Sequence, residues 1–259
     1  MQEVLFIMSK IKTMDWIYLS PHLDDVIYSC GGLIWEQVHS GDQVSVWTFF
    51  SGDPEYLPLS PFANRLHRRW GIDGYSLDKR RQEDLRACNR LGVSARHHKF
   101  QEAIYRVRSR DNAYLYPTED SIFGVVDEED AGLIHELGSL IAESVPTNAA
   151  IVFPLALGGH IDHVIIQQIS VQLDNTQYFY ADFPYVLTEL DTHGVADERD
   201  INVKHIPLSA NAISVWIDTI RDYESQFSSF WSMDAELQRD VNLLINKWSG
   251  MLLWKQNRT

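Results

Sequence analysis

The sequence predicts an α/β fold: a single domain with a mostly parallel sheet covered by helices on both faces. Three observations carry this. Short apolar runs alternate with stretches of helical periodicity along the 259 residues. The apolar runs are continuous rather than alternating, as strands buried on both faces must be. Two of those runs end in polar packets that lead straight into helices: Ser20–Gly32 (SPHLDDVIYSCGG) and Gly158–Ile166 (GGHIDHVII). Sites in such sheets lie beyond the carboxyl ends of the strands.

The elements follow in order. DWIYLS (15–20) is a strand. Leu33, Ile34 and Val38 have helical spacing before Gly41, which sets a helix over 26–40. QVSVWTFF (43–50) is β-branched and aromatic and is a buried strand. Three prolines make 51–61 a loop. A helix over 76–91 ends at Gly92, RHHKF (96–100) is a strand candidate, and 106–127 lacks periodicity and is an excursion. A helix over 128–145 stops at Pro146. AAIVFPL (149–155) is a strand and 161–173 a helix. Strands are expected to begin at Gln177 and to cover 201–208, with helices over 211–223 and 233–248 closing the chain.

With 45% hydrophobic and 22% charged residues the chain is an ordinary globular one, long enough to bury a sizeable core. No Pro/Gly/Ser linker divides it, so residues 1–259 are expected to form one domain. A net charge of −14 argues against nucleic acid and anionic membrane as partners, since both require a basic footprint. The apolar runs fall short of a membrane span. Lys10 and Lys12 follow rather than precede the first apolar stretch, the wrong order for a secretory signal, and a cytoplasmic location is expected. Cys30 and Cys88 form no CxxC pair and read as small apolar residues on helices.

His22 and Asp25 stand three residues apart at a strand-to-helix turn, a spacing that lets an imidazole and a carboxylate meet on one ion while Asp24 points elsewhere. His163 would close a three-ligand site with positions left open. Two histidines, a carboxylate and an open position suit catalytic zinc, which lowers the pKa of its water toward neutrality. Asp24 would take the proton of that water. His160, one helical turn from His163, would donate to the oxygen of a carbonyl under attack, and Asp162 would orient a histidine from behind. Two other readings stand beside this. Asp24 or Asp25 serves as a plain helix N-cap. Or His22, Asp24 and a distant histidine form the facial triad of a non-haem Fe(II) oxygenase, against which the alternating α/β pattern speaks.

These residues resemble the PIG-L/LmbE-like family of zinc-dependent N-deacetylases, whose motifs are written [AP]H-x-D-D-E and H-x-x-H. They stand here as Pro21-His22-Leu23-Asp24-Asp25 and His160-Ile161-Asp162-His163. The resemblance implies a three-layer α/β/α, Rossmann-like fold. It also implies hydrolysis of the acetamide of an N-acetylated amino sugar or glycoconjugate. Zn2+ is the implied ion, with other divalent metals such as Fe2+ as alternatives. It assigns His22, Asp25 and His163 to the metal, Asp24 to the general base, and His160 to the oxyanion or the leaving amine. Arg80, Glu83 and Ala87 match a family R-x-x-E helix ending in A-x-x-L-G, here with one residue more before Leu91–Gly92, and FQEAIYR and YADFPY look like pocket-lining segments, making Arg80, Glu102, Tyr105, Arg106 and Asp182 candidate sugar contacts. The resemblance covers Trp16 to Tyr185 and leaves 185–259 unmatched. Val26 stands where the family has Glu. That is the one hint of a sugar-binding protein without catalysis, and the presence of Asp24 and His160 speaks against it. The other histidines, including His97–His98, read as structural. Trp231, Trp248 and Trp254 read as core or as packing for a homo-oligomer ahead of the alternative, a sugar-stacking face.

Overall fold

The structure, a computed structural model, describes residues 13–188 and 201–257. Its strands are β1 (Asp15–Ser20), β2 (Gln43–Thr48), β3 (Ser94–His97), β4 (Ala150–Pro154), β5 (Thr176–Tyr180), β6 (Ile201–Ile206) and β7 (Met251–Gln256). They form one sheet of order β3-β2-β1-β4-β5-β7-β6. The pairs among β1 to β5 are all parallel, and β7 runs antiparallel between β5 and β6. The chain leaves β1 toward β2 and β3 on one side and returns to β4 and β5 on the other. The crevice where strand order reverses therefore opens beyond the ends of β1 and β4, the place where open α/β sheets bind ligands. All five residues of β4 are buried, which accounts for its unbroken apolar run.

The helices are α1 (Asp25–His39), α2 (Pro61–Trp70), α3 (Asp78–Leu91), α4 (Glu119–Ile122), α5 (Ala131–Ser144), α6 (Ile161–Gln168), α7 (Ala210–Arg221), α8 (Glu224–Phe227) and α9 (Asp234–Trp248). The Gly31–Gly32 pair of α1 has a packing cause. A Cβ at Gly31 would lie 2.6 Å from Trp216 Cδ1, and Trp216 donates from Nε1 to the carbonyl oxygens of Ile27 and Tyr28. The two glycines let α7 lie against α1 and bury that indole completely.

The mostly parallel sheet and the helix-strand alternation match the sequence reading, with several differences. The expected loop stops earlier than its prolines suggest. Pro61 occupies the first turn of α2 and Ser60 caps it, its Oγ accepting from Ala63 N, so the proline starts a helix instead of ending one. The excursion contains α4, capped by Thr118. The strand candidate at 96–100 is shifted to Ser94–His97. The helix expected over 161–173 tightens to a 3-10 turn after Gln168. The chain ends on a strand, not on a helix. Ser249 and Gly250 take φ values of 53° and 140°, and a Cβ at Gly250 would meet the Ile206 carbonyl oxygen at 2.3 Å. That turn breaks α9 and sends the apolar MLLW segment back through the sheet as β7. Cys30 and Cys88 are buried on α1 and α3 as expected, and Trp231, Trp248 and Trp254 are core residues. His97 pairs with Asp84, and His98 stacks on Phe49.

Candidate active site

Two strand-to-helix turns meet at the crevice. The first places His22 after β1 and Asp24 and Asp25 at the start of α1. Asp24 holds the N-cap position but its side chain makes no capping hydrogen bond, which sets aside the plain-cap reading for that carboxylate. Asp25 turns back instead: its Oδ2 accepts from His22 N at 2.7 Å and lies 3.2 Å from His22 Nδ1. The second turn descends from β4 through Ala156, Gly158 and Gly159, all with positive φ. At Gly158 only hydrogen fits, since a Cβ would stand 2.9 Å from the Tyr185 ring. This descent delivers His160 as the N-cap of α6 and puts His163 in its first turn, with Nε2 at 3.3 Å from the same Asp25 Oδ2.

Each of the two histidines around Asp25 is backed by a buried carboxylate. His22 Nε2 meets Asp162 Oδ2 at 2.9 Å, and His163 Nδ1 meets Asp182 Oδ1 at 2.7 Å. Asp182 also accepts from Leu157 N, so it fastens the β4 turn as well as the ring. Asp162 is held on three sides: Ala103 N at 2.9 Å, Arg106 Nη1 at 2.6 Å, and His22. Arg106 continues to Asp130, which accepts from Tyr116 OH. The expected sugar contacts thus divide. Arg80 and Glu102 line the cavity beside the cluster, ion-paired at 2.6 Å, with the Arg80 guanidinium 4.5 Å from the centre of the Trp70 ring. Tyr105, Arg106 and Asp182 are not in its lining among the described residues. Tyr105 bonds His67, while Arg106 and Asp182 stand behind the histidines. Their polar atoms are spent on the protein, which sequence spacing does not reveal. Val26 is wholly buried, and its N–H donates to Ser20 Oγ.

Electrostatics separates the groups. Burial, then the Asp25 charge, push the Asp24 carboxyl up to about 7, against the pull of Arg80 and His22. Burial acts the same way on Asp25 but loses to His163 and His22, which hold it well below the usual carboxylate range. For His163, burial disfavours the proton, yet Asp25 and the Asp182 hydrogen bond keep its pKa up at about 10. His22 is likewise raised: Asp25 and Asp162 outweigh burial. The potential that draws protons onto these rings is one that draws a cation. His160 is the exception, driven well below its ordinary value by burial and then by its two histidine neighbours. It is neutral. Asp162 N donates to its Nδ1 at 3.2 Å, so its proton sits on Nε2.

A cavity of about 300 Å³ opens over the cluster. Besides the residues above, its walls are Phe62, Leu66, Arg69 and Trp70 of α2, Glu119, Ile122 and Phe123 of the excursion, Tyr185, and Gln226, Ser229 and Phe230. Sequence reading missed these apart from Tyr185, which closes the YADFPY segment expected to line the pocket. The only available signal was the amphipathic spacing of Phe62, Leu66 and Trp70.

A cleft at the switch point of a mostly parallel sheet, lined by three imidazoles whose nitrogens lie within 4.8 Å of one another, is a candidate divalent-cation site of an α/β protein. Residues 17–173 match the PIG-L family (GlcNAc-PI de-N-acetylase), and the chain belongs to that family. It is similar to the 2'-N-acetylparomamine deacetylase of Niallia circulans, 30% identical over 190 residues, covering 66% of this chain and 67% of that protein. The enzyme of the same name from Streptomyces fradiae is 32% identical over 152 residues, 58% of this chain and 48% of its own length. The chain thus spans about half of the latter relative. Among solved structures, the zinc-inhibited form of teicoplanin deacetylase Orf2 superposes with a TM-score of 0.78 at 25% identity, over 95% of this chain and 99% of that one. The expected fold and N-deacetylase class accord with these relatives. No described helix is long and apolar enough to cross a membrane.

Proposed function

We propose that the chain is a zinc-dependent N-deacetylase that removes the acetyl group from an N-acetylated amino sugar or glycoconjugate. One observation carries this: His22 Nδ1 and His163 Nε2 stand 3.2 and 3.3 Å from a single Asp25 oxygen while Asp24, unengaged, faces the same cavity. Ligand atoms about 2.0–2.1 Å from a tetrahedral ion are separated by about 3.3 Å, so His22, Asp25 and His163 fit zinc. Carboxylates on the far nitrogens of both rings complete the arrangement usual for ligating histidines. His160 also lies near, but its Nδ1 is taken by Asp162 N.

When bound, the ion lowers the pKa of a water and polarises the acetyl carbonyl. The remaining work falls to the chain. Asp24, whose carboxyl is raised by burial well above the usual carboxylate range, takes the proton of the attacking water and passes it to the departing amine. His160 donates its Nε2 proton as a hydrogen bond to the carbonyl oxygen as charge builds there. Arg80 limits the pKa rise of Asp24 and, with Glu102, offers donors and acceptors to sugar hydroxyls. The named substrates of the relatives, acetylated paromamine and teicoplanin, support the substrate class. Two free, buried cysteines suit a cytoplasmic enzyme.

The test is elemental analysis of the purified protein with a screen of N-acetyl sugars for acetate release. Activity should vanish with a chelator and return with zinc. A His163→Ala variant with wild-type metal content and turnover would overturn the ligand assignment, and turnover that consumes oxygen would replace the reading with the oxygenase.

A further inference from the structure

The cavity wall formed by residues 223–230 lies outside the segment that matches the family, and its polar groups are built with more care than a covering needs. Two buried carboxylates of α3 hold it. Asp84 accepts from Tyr223 OH at 2.6 Å, and Glu83 accepts from both Ser225 N and Ser225 Oγ. Because the Ser225 hydroxyl spends its proton on Glu83, its oxygen can only accept from its other neighbour. The Gln226 group facing it at 3.0 Å is therefore the amide nitrogen Nε2. This fixes the amide: Oε1 is left as the acceptor presented to the cavity that Gln226 lines, and it accepts no hydrogen bond among the described residues. Gln226 as a whole is 4% exposed. Two polar atoms of cavity-lining residues are buried and unpartnered among the described residues, Ser229 Oγ on the same wall and Arg80 Nε opposite.

We infer that Gln226, oriented by Glu83 through Ser225, is a specificity-determining residue whose Oε1 accepts a hydrogen bond from a ring hydroxyl of the substrate, with Ser229 beside it. The ligand class is a polyhydroxylated ring carrying the acetamide, and the inference rests on the deacetylase reading. A ring lacking that hydroxyl would leave the Gln226 acceptor and the buried Ser229 hydroxyl beside it without their partner, and such sites discriminate.

The experiment measures acetate release from methyl N-acetylglucosaminide and its 3-, 4- and 6-deoxy analogues by the zinc-loaded wild type, Gln226→Leu and Ser225→Ala. Thermal melting and metal content serve as controls. The wild type is expected to disfavour one deoxy analogue on the order of 10- to 100-fold in kcat/KM. Gln226→Leu should lose most of that on the parent sugar while treating parent and analogue within about threefold. Ser225→Ala, which frees the amide to rotate, should fall between and act mainly on KM. Discrimination left intact in Gln226→Leu, or absent from the wild type, would overturn the inference while leaving the deacetylase reading in place. No acetate release by the wild type from any of these sugars would remove both.

Discussion

The two halves of the cavity reach the same place by different means. The parallel part of the sheet contributes groups fixed locally: His22, Asp24 and Asp25 lie within four residues at the end of β1, and His160, Asp162 and His163 within four at the end of β4. The part after β5 contributes Gln226, Ser229 and Phe230, and these are positioned from a distance, by carboxylates of α3 some 140 residues earlier in the chain. Chemistry here is written in short motifs, whereas the shape of the cavity depends on long-range contacts. Perturbing Asp24 or a metal ligand in the motifs should stop the chemical step, and perturbing the packing of the later part should cost stability while sparing that step.

The largest expected effect belongs to Asp24. Asp24→Asn removes the base and should lower kcat by about a thousandfold, within the usual range for general base catalysis, with metal content unchanged. The acid limb of the pH–rate profile should vanish with it. A cation on Asp25 relieves part of the repulsion that raises Asp24, so in the loaded enzyme that limb should lie below 7. The sign for stability is opposite to that of a salt-bridged carboxylate. In chelated protein the folded Asp24 holds its proton up to about 7 while the unfolded chain releases it near 4. Asp24 therefore contributes a fall in stability as pH rises through that window, and Asp24→Asn should make the fall shallower, as melts at pH 4.5 and 7.5 would show. Full activity in the Asp24→Asn variant would break the assignment of the base.

Next come the carboxylates behind the rings. Asp182→Ala frees the His163 ring and should weaken zinc binding by about 10- to 100-fold, measured by competition with a chromophoric chelator. Asp162 holds Arg106 and Ala103 N besides His22, so its loss also leaves the buried Arg106 with Asp130 as its one carboxylate partner among the described residues and should cost stability as well as affinity. Equal and purely structural losses in both variants would mean that neither supports a metal.

In the later part, Trp216→Ala should cost about 3–5 kcal/mol, because it empties the indole's place against Gly31 and removes hydrogen bonds to two carbonyls of α1. The fraction still folded at 20 °C should retain kcat within a few-fold. A large loss of kcat in that fraction would show that α7 tunes the site through α1, and the division between the halves would fail.

The same contrast decides what could be read from sequence. Both packets, their strands and their helices were legible because a continuous apolar run, a turn and a helix start are local patterns. Asp162 was also legible as the support of a histidine. Arg106 and Asp182 were found as polar residues near the site but given the wrong contacts, since nothing in the spacing says whether a carboxylate faces a cavity or a ring 19 residues earlier. Gln226 and Ser229 were invisible, because the carboxylates that place their segment lie on α3. β7 was missed because its partners β5 and β6 are fixed only by the sheet.

The smallest expected effect tests the seam between the halves. Arg90 of α3 holds Asp222, at the end of α7, through Nε at 2.7 Å and Nη2 at 2.8 Å. The geometry is bidentate, but the Arg90 side chain is 47% exposed, and water and salt compete for both partners. Arg90→Ala should therefore cost less than about 1 kcal/mol, and raising the salt should shrink even that. Asp84→Asn, at the same seam, should cost more. Its carboxylate is buried, and it holds Tyr223 OH on one oxygen and His97 on the other, so the amide cannot satisfy both as donors. Urea melts of the two variants rank the contacts directly. If Arg90→Ala proved the costlier change, the later part would be docked by its surface charges, and the buried carboxylates of α3 would lose the role of fixing where Gln226 sits.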